Sequence, residues 1–503
     1  MRSTLTSPRS IGGHGRRLLE SARQHLAEGR PLQAAEAYAG VVGEDPGCAE
    51  AHGQLGSLFF QFKRYTESLA CLQKAVRLAP RMPKVNLLTG AVLREMGRME
   101  ESAACCQREI QLSPSDAHAH YNLGLVLQSL KRPAEAVGAF RRAIKLCPGY
   151  VDAIIGEGMA LRQTGDHEAA MDSFERVINL EPDNVVARFE LSTILLSLGQ
   201  FERGWKEYEW RKKLKDHPTR PVPFEQAPWD GRHLGGRRIL LECEQGFGDV
   251  IQFSRYASLV ADRDAEVILG CPESLRPVMQ TLRGVSEVVT SRHKLPHFDT
   301  YASLLSLPLI FGTVLETIPW EVPYLRAPSR DSSSPRWVNQ SPGLKVGLVW
   351  SGNQANRPGR YRSMRLDCFG PLLKFPGICW HSLQVGAAAE ELAMPAFAGR
   401  IADLGRRFAS FSDTAQAIAE LDLVIAVDTS VAHLAGALGK PVWVMLPFDA
   451  DWRWMTGRQD SPWYPTMTLF RQPRPGDWAE VIAQIEVALR DFANNAAARY
   501  CRI

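Results

Sequence analysis

The sequence lacks closely spaced cysteine pairs, a strong net charge and a long uninterrupted apolar segment. None of its ten cysteines forms a Cys-x-x-Cys pair, which indicates reduced thiols and no structural metal site. A formal net charge of +4 over 503 residues does not predict a nucleic-acid or membrane-surface partner. No segment is long and charge-free enough for a transmembrane helix, and residues 1–17 are basic without the apolar core of a signal peptide. We therefore expect a cytoplasmic protein.

The N-terminal part of the chain repeats with a fixed period. Prolines recur every 34 residues, at Pro46, Pro80, Pro114, Pro148 and Pro182. Glycines recur with the same spacing, at Gly56, Gly90, Gly124 and Gly158. A small residue also recurs, as Ala34, Ser68, Ser102, Ala136 and Ala170. With helical sequence between the prolines, this pattern resembles the tetratricopeptide repeat, and the resemblance covers residues 15–211.

This resemblance implies an α-solenoid, in which each helical hairpin shares an apolar core with its neighbours. The concave face of such an array typically holds a peptide or another protein. The alternative, that the array only supports the domain C-terminal to it, stays open. The sixth unit departs from the pattern because Trp205, Tyr208 and Trp210 crowd its second helix. We expect this unit to be an end cap that packs against the C-terminal domain.

A linker and a first α/β unit come after the repeats. Residues 212–236 are rich in Lys, Pro and Gly and show no sustained period, which is typical of a linker. Residues 237–330 are expected to form a Rossmann-like unit that ends in an irregular segment at 298–309. Its first strand runs into a turn that contains Gly246 and Gly248, which allow a ligand to approach the backbone closely.

Asp249 begins the helix after this glycine turn. The turn directs its carboxylate into the cleft above the sheet, where it is a candidate functional group. The alternative is that Asp249 only complements the helix dipole, since Asp is common in the first turn of a helix.

A second α/β unit is expected over residues 343–495. One strand runs into Ser351, Gly352 and Asn353, and a basic loop comes next. Another strand ends at the turn Asp428–Ser430, and a helix begins there. Helix N-termini at the carboxyl ends of parallel strands present free N–H groups to anions. This turn is therefore a candidate diphosphate site, unless Asp428 and Thr429 are simple helix caps.

Four sequence motifs resemble those of the heptosyltransferase-type family 9 glycosyltransferases. They are GDVIQF at 248–253, WSGN at 350–353, SLQVG at 382–386 and DTSVAHLAGALGKP at 428–441. With the repeats, WDG at 229–231 and DSPWYP at 460–465, the chain resembles bacterial proteins that join tetratricopeptide repeats to such a domain. The resemblance implies a GT-B architecture, a pair of Rossmann-like halves, over the two α/β units.

The resemblance also implies roles for individual residues. Asp249 corresponds to the catalytic base, and the donor diphosphate is bound or framed by Asp428, Thr429 and His433. The relatives have Gly where this chain has Ser430, which leaves the donor sugar undetermined. The remaining donor-site residues implied by the family motifs are Gly246, Gly248, Ser351, Gly352, Asn353, Gln384, the basic residue Arg360 or Arg362, and Glu390 as the nearest match to a ribose-binding acid.

The function expected from the sequence is transfer of a sugar from a nucleotide-sugar to a hydroxyl of a protein or glycan acceptor that the repeats recruit. The nucleotide-sugar is a co-substrate, and no cofactor is expected. Within residues 237–503, Asp262-Arg263-Asp264 precedes a strand instead of ending one, and Asp449-Ala450-Asp451 follows Pro447 without other evident ligands. We therefore expect metal-independent transfer, and the family implies inversion. Two alternatives remain open: a non-catalytic scaffold with a degenerate GT-B domain, and a sugar-nucleotide epimerase.

Overall fold

A computed structural model describes residues 12–215, 224–330, 336–338, 342–354 and 361–500. Contacts divide the chain into two compact units, Met1–Ala187 and Arg188–Ile503. No helix among the described residues combines the length and apolar character needed to cross a membrane.

The first unit is a helical solenoid. Its helices are α1 (Gly13–Ala27), α2 (Pro31–Glu44), α3 (Ala49–Gln61), α4 (Tyr65–Leu78), α5 (Val85–Glu95), α6 (Met99–Leu112), α7 (Ala117–Ser129), α8 (Pro133–Leu146), α9 (Val151–Thr164) and α10 (His167–Leu180). Two further helices complete the series, α11 (Val185–Ser197) and α12 (Phe201–Tyr208). Each repeat is one pair of helices, as the period predicts.

The repeating glycines and small residues lie where the two helices of a hairpin cross. A Cβ atom on Gly124 would lie 2.5 Å from Phe140, and one on Gly56 would lie 2.6 Å from Leu72. Such distances are shorter than van der Waals contact, so only glycine fits. Where serine replaces alanine in the second helix, its buried hydroxyl donates to the facing glycine carbonyl, as Ser68 does to Gly56 at 2.6 Å. The consensus positions therefore fix the close packing of each hairpin.

The second unit begins with the end of the helical series. Trp205 stacks on Phe201, lies 5.3 Å from Trp452 between ring centroids, and donates its indole N–H to the carbonyl of Thr313 at 2.9 Å. Arg211, just after α12, is fully buried and pairs with Glu244 at 2.7 Å. The prediction that these aromatic residues pack against the C-terminal domain is confirmed for Trp205 and Tyr208, whereas Trp210 lies beside Arg188 and Lys213.

The first α/β sheet has four parallel strands in the order β3-β2-β1-β4. They are β1 (Arg238–Glu242), β2 (Glu266–Gly270), β3 (Val285–Val289) and β4 (Thr300–Ser303), with β4 inside the segment expected to be irregular. The helices are α13 (Phe247–Phe253), α14 (Ala257–Ala261), α15 (Arg276–Met279) and α16 (Leu307–Ile310). The central strand β1 pairs with β2 and β4, so α13 begins in the middle of the sheet edge.

The second sheet has six parallel strands in the order β10-β9-β8-β5-β6-β7. They are β5 (Leu344–Val349), β6 (Ile378–Ser382), β7 (Ile401–Asp403), β8 (Leu423–Val427), β9 (Val442–Leu446) and β10 (Met467–Arg471). Three helices accompany them, α17 (Phe411–Ala419), α18 (Ser430–Ala437) and α19 (Trp478–Tyr500). This is the strand order of a doubly wound nucleotide-binding sheet, and its topological switch point lies between β5 and β8.

Candidate functional site

Two helix N-termini, one from each sheet, meet at the candidate site. Gly246 is the N-cap of α13 after β1, and Thr429 is the N-cap of α18 after β8. Both helices start at a carboxyl edge where the order of strands switches, which is where open α/β sheets bind ligands. The structure thus brings together two turns that lie about 180 residues apart in the sequence.

Gly248 allows the two helices to touch. A Cβ atom at this position would lie 2.9 Å from Cδ2 of His433 on α18. The His433 ring is itself fixed, because Nδ1 is 3.0 Å from the hydroxyl of Tyr464 and the ring stacks on Trp454 with centroids 5.2 Å apart. A side chain at Gly248 would therefore push α13 away from α18, and with it Asp249.

Asp249 has both carboxylate oxygens engaged. Oδ2 accepts the backbone N–H of Gly246 at 2.8 Å, which caps α13, and Oδ1 accepts a hydrogen bond from the guanidinium of Arg453. Burial raises the pKa of Asp249 above its usual value, although Arg453 acts in the opposite direction. The side chain retains 17% exposure, so a ligand can reach it. Asp249 is thus a helix cap and a member of the site at once.

Asp428 is the second carboxylate of the site. Its Oδ2 pairs with Nη1 of Arg362 at 3.1 Å, and its Oδ1 lies 3.8 Å from Nε2 of His433. Burial raises the pKa of Asp428, against the effect of Arg362. Burial, together with Arg453, lowers the pKa of His433 to about 3. The imidazole is therefore neutral near pH 7 and acts as a hydrogen-bonding group instead of a cation.

Thr429 and Ser430 occupy the start of α18. The hydroxyl of Thr429 makes no capping bond to the helix, and it is buried without a hydrogen-bond partner among the described residues. The residue is 8% exposed. Ser430 is the first residue of the helix and is partly exposed. The interpretation of Thr429 as a simple helix cap does not fit this geometry, whereas a hydroxyl reserved for a ligand does.

Gln384 shapes the turn after β5. Its side-chain oxygen accepts the backbone N–H groups of Trp350 and Ser351 at 3.1 and 2.9 Å, and its amide nitrogen donates to two carbonyl oxygens. The N–H of Gly352 donates to Ser363 at 3.0 Å. Gln384 therefore holds the backbone of Trp350 and Ser351, and its own amide is fully used.

One predicted residue does not join the cluster, and another is not among the described residues. Glu390 is exposed on the 3-10 segment Ala387–Ala393, and among the described residues no hydrogen bond or ion pair connects it to the site. Its neighbour Glu391 accepts the backbone N–H of Leu366 at 2.7 Å instead. Arg360 lies outside the described residues, so only Arg362 of the two basic candidates is placed.

Sequence reasoning missed Asp451 and Arg453. Both lie at the 3-10 turn Trp452–Trp454 after β9, and Arg453 is nearly buried. Its guanidinium donates to Asp451 at 2.7 Å and to Asp249. In the sequence, the acidic residues of this segment stand out only as potential metal ligands. The overlooked signal is an arginine two residues after an aspartate in the loop that follows β9, at the same edge of the sheet as Asp428.

The assembled site is a partly buried cluster of opposite charges. It has three carboxylates, Asp249, Asp428 and Asp451, and two guanidinium groups, those of Arg362 and Arg453. Within the described parts of the chain, no group of three or more His, Cys, Asp or Glu side chains is arranged to hold a metal ion. Guanidinium groups and helix N-termini bind anions, and a carboxylate with a raised pKa accepts protons. The arrangement is suited to an anionic ligand next to a proton acceptor.

The helical region matches known protein families. Family models described as tetratricopeptide repeats match residues 19–83, 87–151 and 151–184. A curated relative, the protein FlbA of Caulobacter vibrioides, is 28% identical over 340 residues. The match covers 61% of this chain and 55% of FlbA, so the chain spans about half the length of that relative.

Solved structures similar to this chain cover about a third of it. A crystal structure of MamA is 23% identical with a TM-score of 0.33, covering 34% of this chain and 94% of its own. A fragment of MamA from Desulfovibrio magneticus is 20% identical with a TM-score of 0.34, covering 35% and 99%. YrrB, described as a repeat protein with an unusual peptide-binding site, is 22% identical with a TM-score of 0.31, covering 34% and 88%. Residues 19–184 of this chain are tetratricopeptide repeats, and a parallel α/β region comes after them.

Proposed function

We propose that the second unit is a GT-B glycosyltransferase that moves a sugar from a nucleoside-diphosphate donor to a hydroxyl acceptor. The observation that carries the proposal is the meeting of two helix N-termini at the switch points of two parallel sheets, with Asp249 beside Arg453 and Asp428 beside Arg362. Two parallel α/β sheets in one unit, with the helices α13 and α18 in contact, support the GT-B architecture that the motifs imply.

In the proposed reaction, Asp249 takes the proton of the acceptor hydroxyl. The acceptor oxygen forms a bond to the anomeric carbon, and the bond from that carbon to the diphosphate breaks with its electron pair on the diphosphate. A single displacement from the opposite face inverts the anomeric configuration. The raised pKa of Asp249 suits this role, and general-base catalysis contributes about 100- to 10,000-fold in rate.

The diphosphate is assigned to the N-terminus of α18. There the backbone N–H groups, the unpartnered hydroxyl of Thr429 and the guanidinium of Arg362 converge on one region. Preorganised donors of this kind stabilise the charge that develops on a leaving group. We propose that transfer needs no metal ion, because Asp249 and Asp451 are already bound to Arg453.

The repeats are proposed to recruit the acceptor, a protein or a glycan. This extends the protein-interaction role that tetratricopeptide repeats imply. The second candidate function is a protein-binding scaffold without turnover. It is favoured by the double engagement of Asp249 as helix cap and ion-pair partner, which a purely structural aspartate would also show.

Nucleoside-diphosphate release separates the two candidates. The full chain is incubated with UDP-, GDP-, ADP- and dTDP-sugars and with a cell extract as the source of acceptor, with and without EDTA. Glycosyl transfer predicts release with at least one donor, insensitivity to EDTA, and a raised melting temperature, since a ligand at 100 times its dissociation constant stabilises by about 2.7 kcal/mol.

Asp249→Asn is the diagnostic variant for the base. It should keep the donor-induced shift in melting temperature while turnover falls about a hundredfold or more. No shift and no release with any donor would support the scaffold. Isomerisation of the sugar without an acceptor would instead identify an epimerase.

A further inference from the structure

Arg453 bridges two acidic side chains from different parts of the second unit. Nη1 donates to Asp451 at 2.7 Å, while Nη2 donates to Asp249 on the other sheet's helix α13. The side chain of Arg453 is only 7% exposed. A planar guanidinium can serve two carboxylates in fixed directions, which a lysine ammonium on a flexible stem does less well.

The position of the guanidinium is fixed from several sides. Asp451 caps the turn by accepting the backbone N–H of Arg453 at 3.1 Å, so the carboxylate holds both ends of this residue. The guanidinium also lies 4.4 Å above the ring of Trp452 and 5.7 Å above that of Phe253 on α13. Little freedom remains for Arg453, and its contact with Asp249 is set by the packing of both halves.

The surroundings of Asp249 contain more negative than positive charge without Arg453. The polar groups that face it from the neighbouring elements are Tyr208 of α12, Asp428 after β8, His433 of α18, and Asp451 and Arg453 after β9. Arg362 is paired with Asp428 and offsets one of the two other carboxylates. Both Asp428 and Asp451 act to raise the pKa of Asp249, and Arg453 acts to lower it. His433 is neutral near pH 7 and supplies no compensating charge.

We propose that Arg453 is a positioning residue, which holds the carboxylate of Asp249 in place and ionised so that it can act as the general base. This inference rests on the proposed function and adds a residue that the sequence motifs do not identify. Asp451 holds Arg453 in place in turn. This role accounts for the presence of Asp451 at the site, where its own charge acts against the ionisation of Asp249. The alternative is that Arg453 merely ties the turn after β9 to α13.

The first experiment needs no substrate. Melting temperature is measured from about pH 4.5 to about pH 8.5 for the full chain, Arg453→Met, Asp249→Asn and the double variant. If Arg453→Met lets the pKa of Asp249 rise further, the native state binds a proton there, and the melting temperature of this variant falls as pH rises. The double variant should lack that slope. Parallel curves for Arg453→Met and the double variant would overturn the inference.

The second experiment measures turnover against pH. In Arg453→Met the acidic limb of the kcat profile should move up by about one pH unit or more, so that activity falls by about tenfold or more on the acidic side of the limb and recovers on its alkaline side. Arg453→Lys keeps the charge and should move the limb most of the way back. The donor KM should change little. The matched control is Arg458→Met, since Arg458 pairs with the exposed Asp460 at 2.6 Å.

The outcomes separate this inference from the proposed function. Turnover with an unshifted acidic limb in Arg453→Met rejects the positioning role and leaves the transferase proposal standing. A loss at every pH together with a large increase in donor KM also rejects it, because Arg453 would then be a donor ligand. The melting curves of Arg453→Met and the double variant can differ in their pH dependence while the protein releases no nucleoside diphosphate from any donor. That combination rejects the proposed function.

Discussion

Thr429 carries a buried hydroxyl that no described residue satisfies. Leaving a buried polar group unpaired costs about 1–3 kcal/mol, while a hydrogen bond to a charged group contributes about 1.5–3 kcal/mol. The cost is present in the free protein, and the contribution is available only when an anion binds. Thr429 is therefore better explained by a ligand than by the stability of α18.

Thr429→Val should weaken ligand binding without lowering the stability of the protein. Valine has the shape of threonine without the hydroxyl, so the melting temperature should stay the same or rise. Affinity for nucleoside diphosphates should fall about tenfold or more for the lost hydrogen bond, measured by calorimetry with UDP and GDP. Thr429→Ser is the control that keeps the hydroxyl. A destabilised Thr429→Val with unchanged affinity would show that the hydroxyl has a structural role.

Substitution of Gly248 tests how closely α13 and α18 approach each other. In Gly248→Ala the new methyl group would lie 2.9 Å from Cδ2 of His433, and overpacking of this kind costs about 1–3 kcal/mol. Urea denaturation monitored by tryptophan fluorescence measures the loss, because all 12 tryptophans occur at or after Trp205. Gly246→Ala is the matched control, since its Cβ meets Oδ2 of Asp249 at an ordinary 3.4 Å. Equal stabilities for the two variants would contradict the close approach.

His433 gives the second unit a defined response to acid. Its pKa falls to about 3 in the native state, whereas an unfolded histidine titrates near pH 6.5. The unfolded chain therefore binds more protons between these values, and stability declines as pH falls through that window. Asp249 and Asp428, whose pKa values are raised, act in the opposite sense.

His433→Gln should flatten this response. Between about pH 6.5 and pH 4 the native protein should lose about 1.4 kcal/mol per pH unit more than the variant, the value for one proton. The free energy of unfolding is obtained from urea titrations at several pH values with fluorescence detection. His233→Gln, at an exposed position, is the control and should keep the slope of the native protein. An identical slope in His433→Gln would show that another group causes the acid response.

At the scale of elements, α12 belongs structurally to the α/β unit. Trp205 is 2% exposed and belongs to an apolar core that includes residues of both parallel sheets. Its ring contacts Trp452 and Trp463 at 5.3 and 6.5 Å between centroids. Tyr208 lies 5.5 Å from Trp452, the neighbour of Arg453. The last helical hairpin therefore supports the turn that carries the charged site.

Trp205→Ala should destabilise the second unit strongly. Removing a buried tryptophan leaves a cavity and costs about 3–5 kcal/mol, and the carbonyl of Thr313 loses its donor as well. Trp210→Ala is the control on the next turn, because Trp210 is only partly buried beside Lys213 and Arg188. Urea denaturation of both variants measures the difference. A loss for Trp205→Ala no larger than for Trp210→Ala would reject the role of α12 as a support.

At the scale of the whole molecule, the two units that divide at residues 187–188 are stabilised in different ways. Repeats are stabilised by nearest-neighbour contacts, whereas the second unit has cores shared among distant segments. A fragment of residues 12–187 should therefore fold alone, with a strongly helical circular dichroism spectrum. A spectrum of an unfolded chain would contradict this independence.

The same division predicts where the second unit can be cut. A fragment of residues 188–503 should unfold cooperatively, because it keeps Trp205, Tyr208 and the buried pair of Arg211 with Glu244. A fragment of residues 214–503 exposes the surface that these residues cover and leaves Glu244 without its guanidinium, so it should aggregate or melt at a lower temperature. Size-exclusion chromatography and thermal denaturation of both fragments test this, and equal behaviour would show that residues 188–213 are dispensable.

Elements whose signals are local could be predicted from the amino-acid sequence. The spacing of prolines and glycines predicts the helical repeats, because one period of 34 residues contains all the signals that specify a hairpin. The strand-turn-helix patterns at Gly246–Asp249 and Asp428–Ser430 were also evident, since capping and apolar runs are short-range signals. The short strands β4 and β7 were not evident, because three or four residues carry too little periodicity to distinguish them from irregular backbone.

Which residues meet at the site depends on long-range packing, which the sequence pattern does not show. The strand order places the ends of β8 and β9 side by side, and the contact of α13 with α18 brings the end of β1 close to them. Parallel pairing between distant strands leaves no mark on local periodicity. The contact of Arg453 with Asp249 joins residues 204 positions apart, and the charge balance of the site depends on it. Gln384 shows the converse, because a motif residue expected at the ligand is used by the backbone of a turn. Local sequence specifies the turns, and long-range packing determines which side chains they bring together.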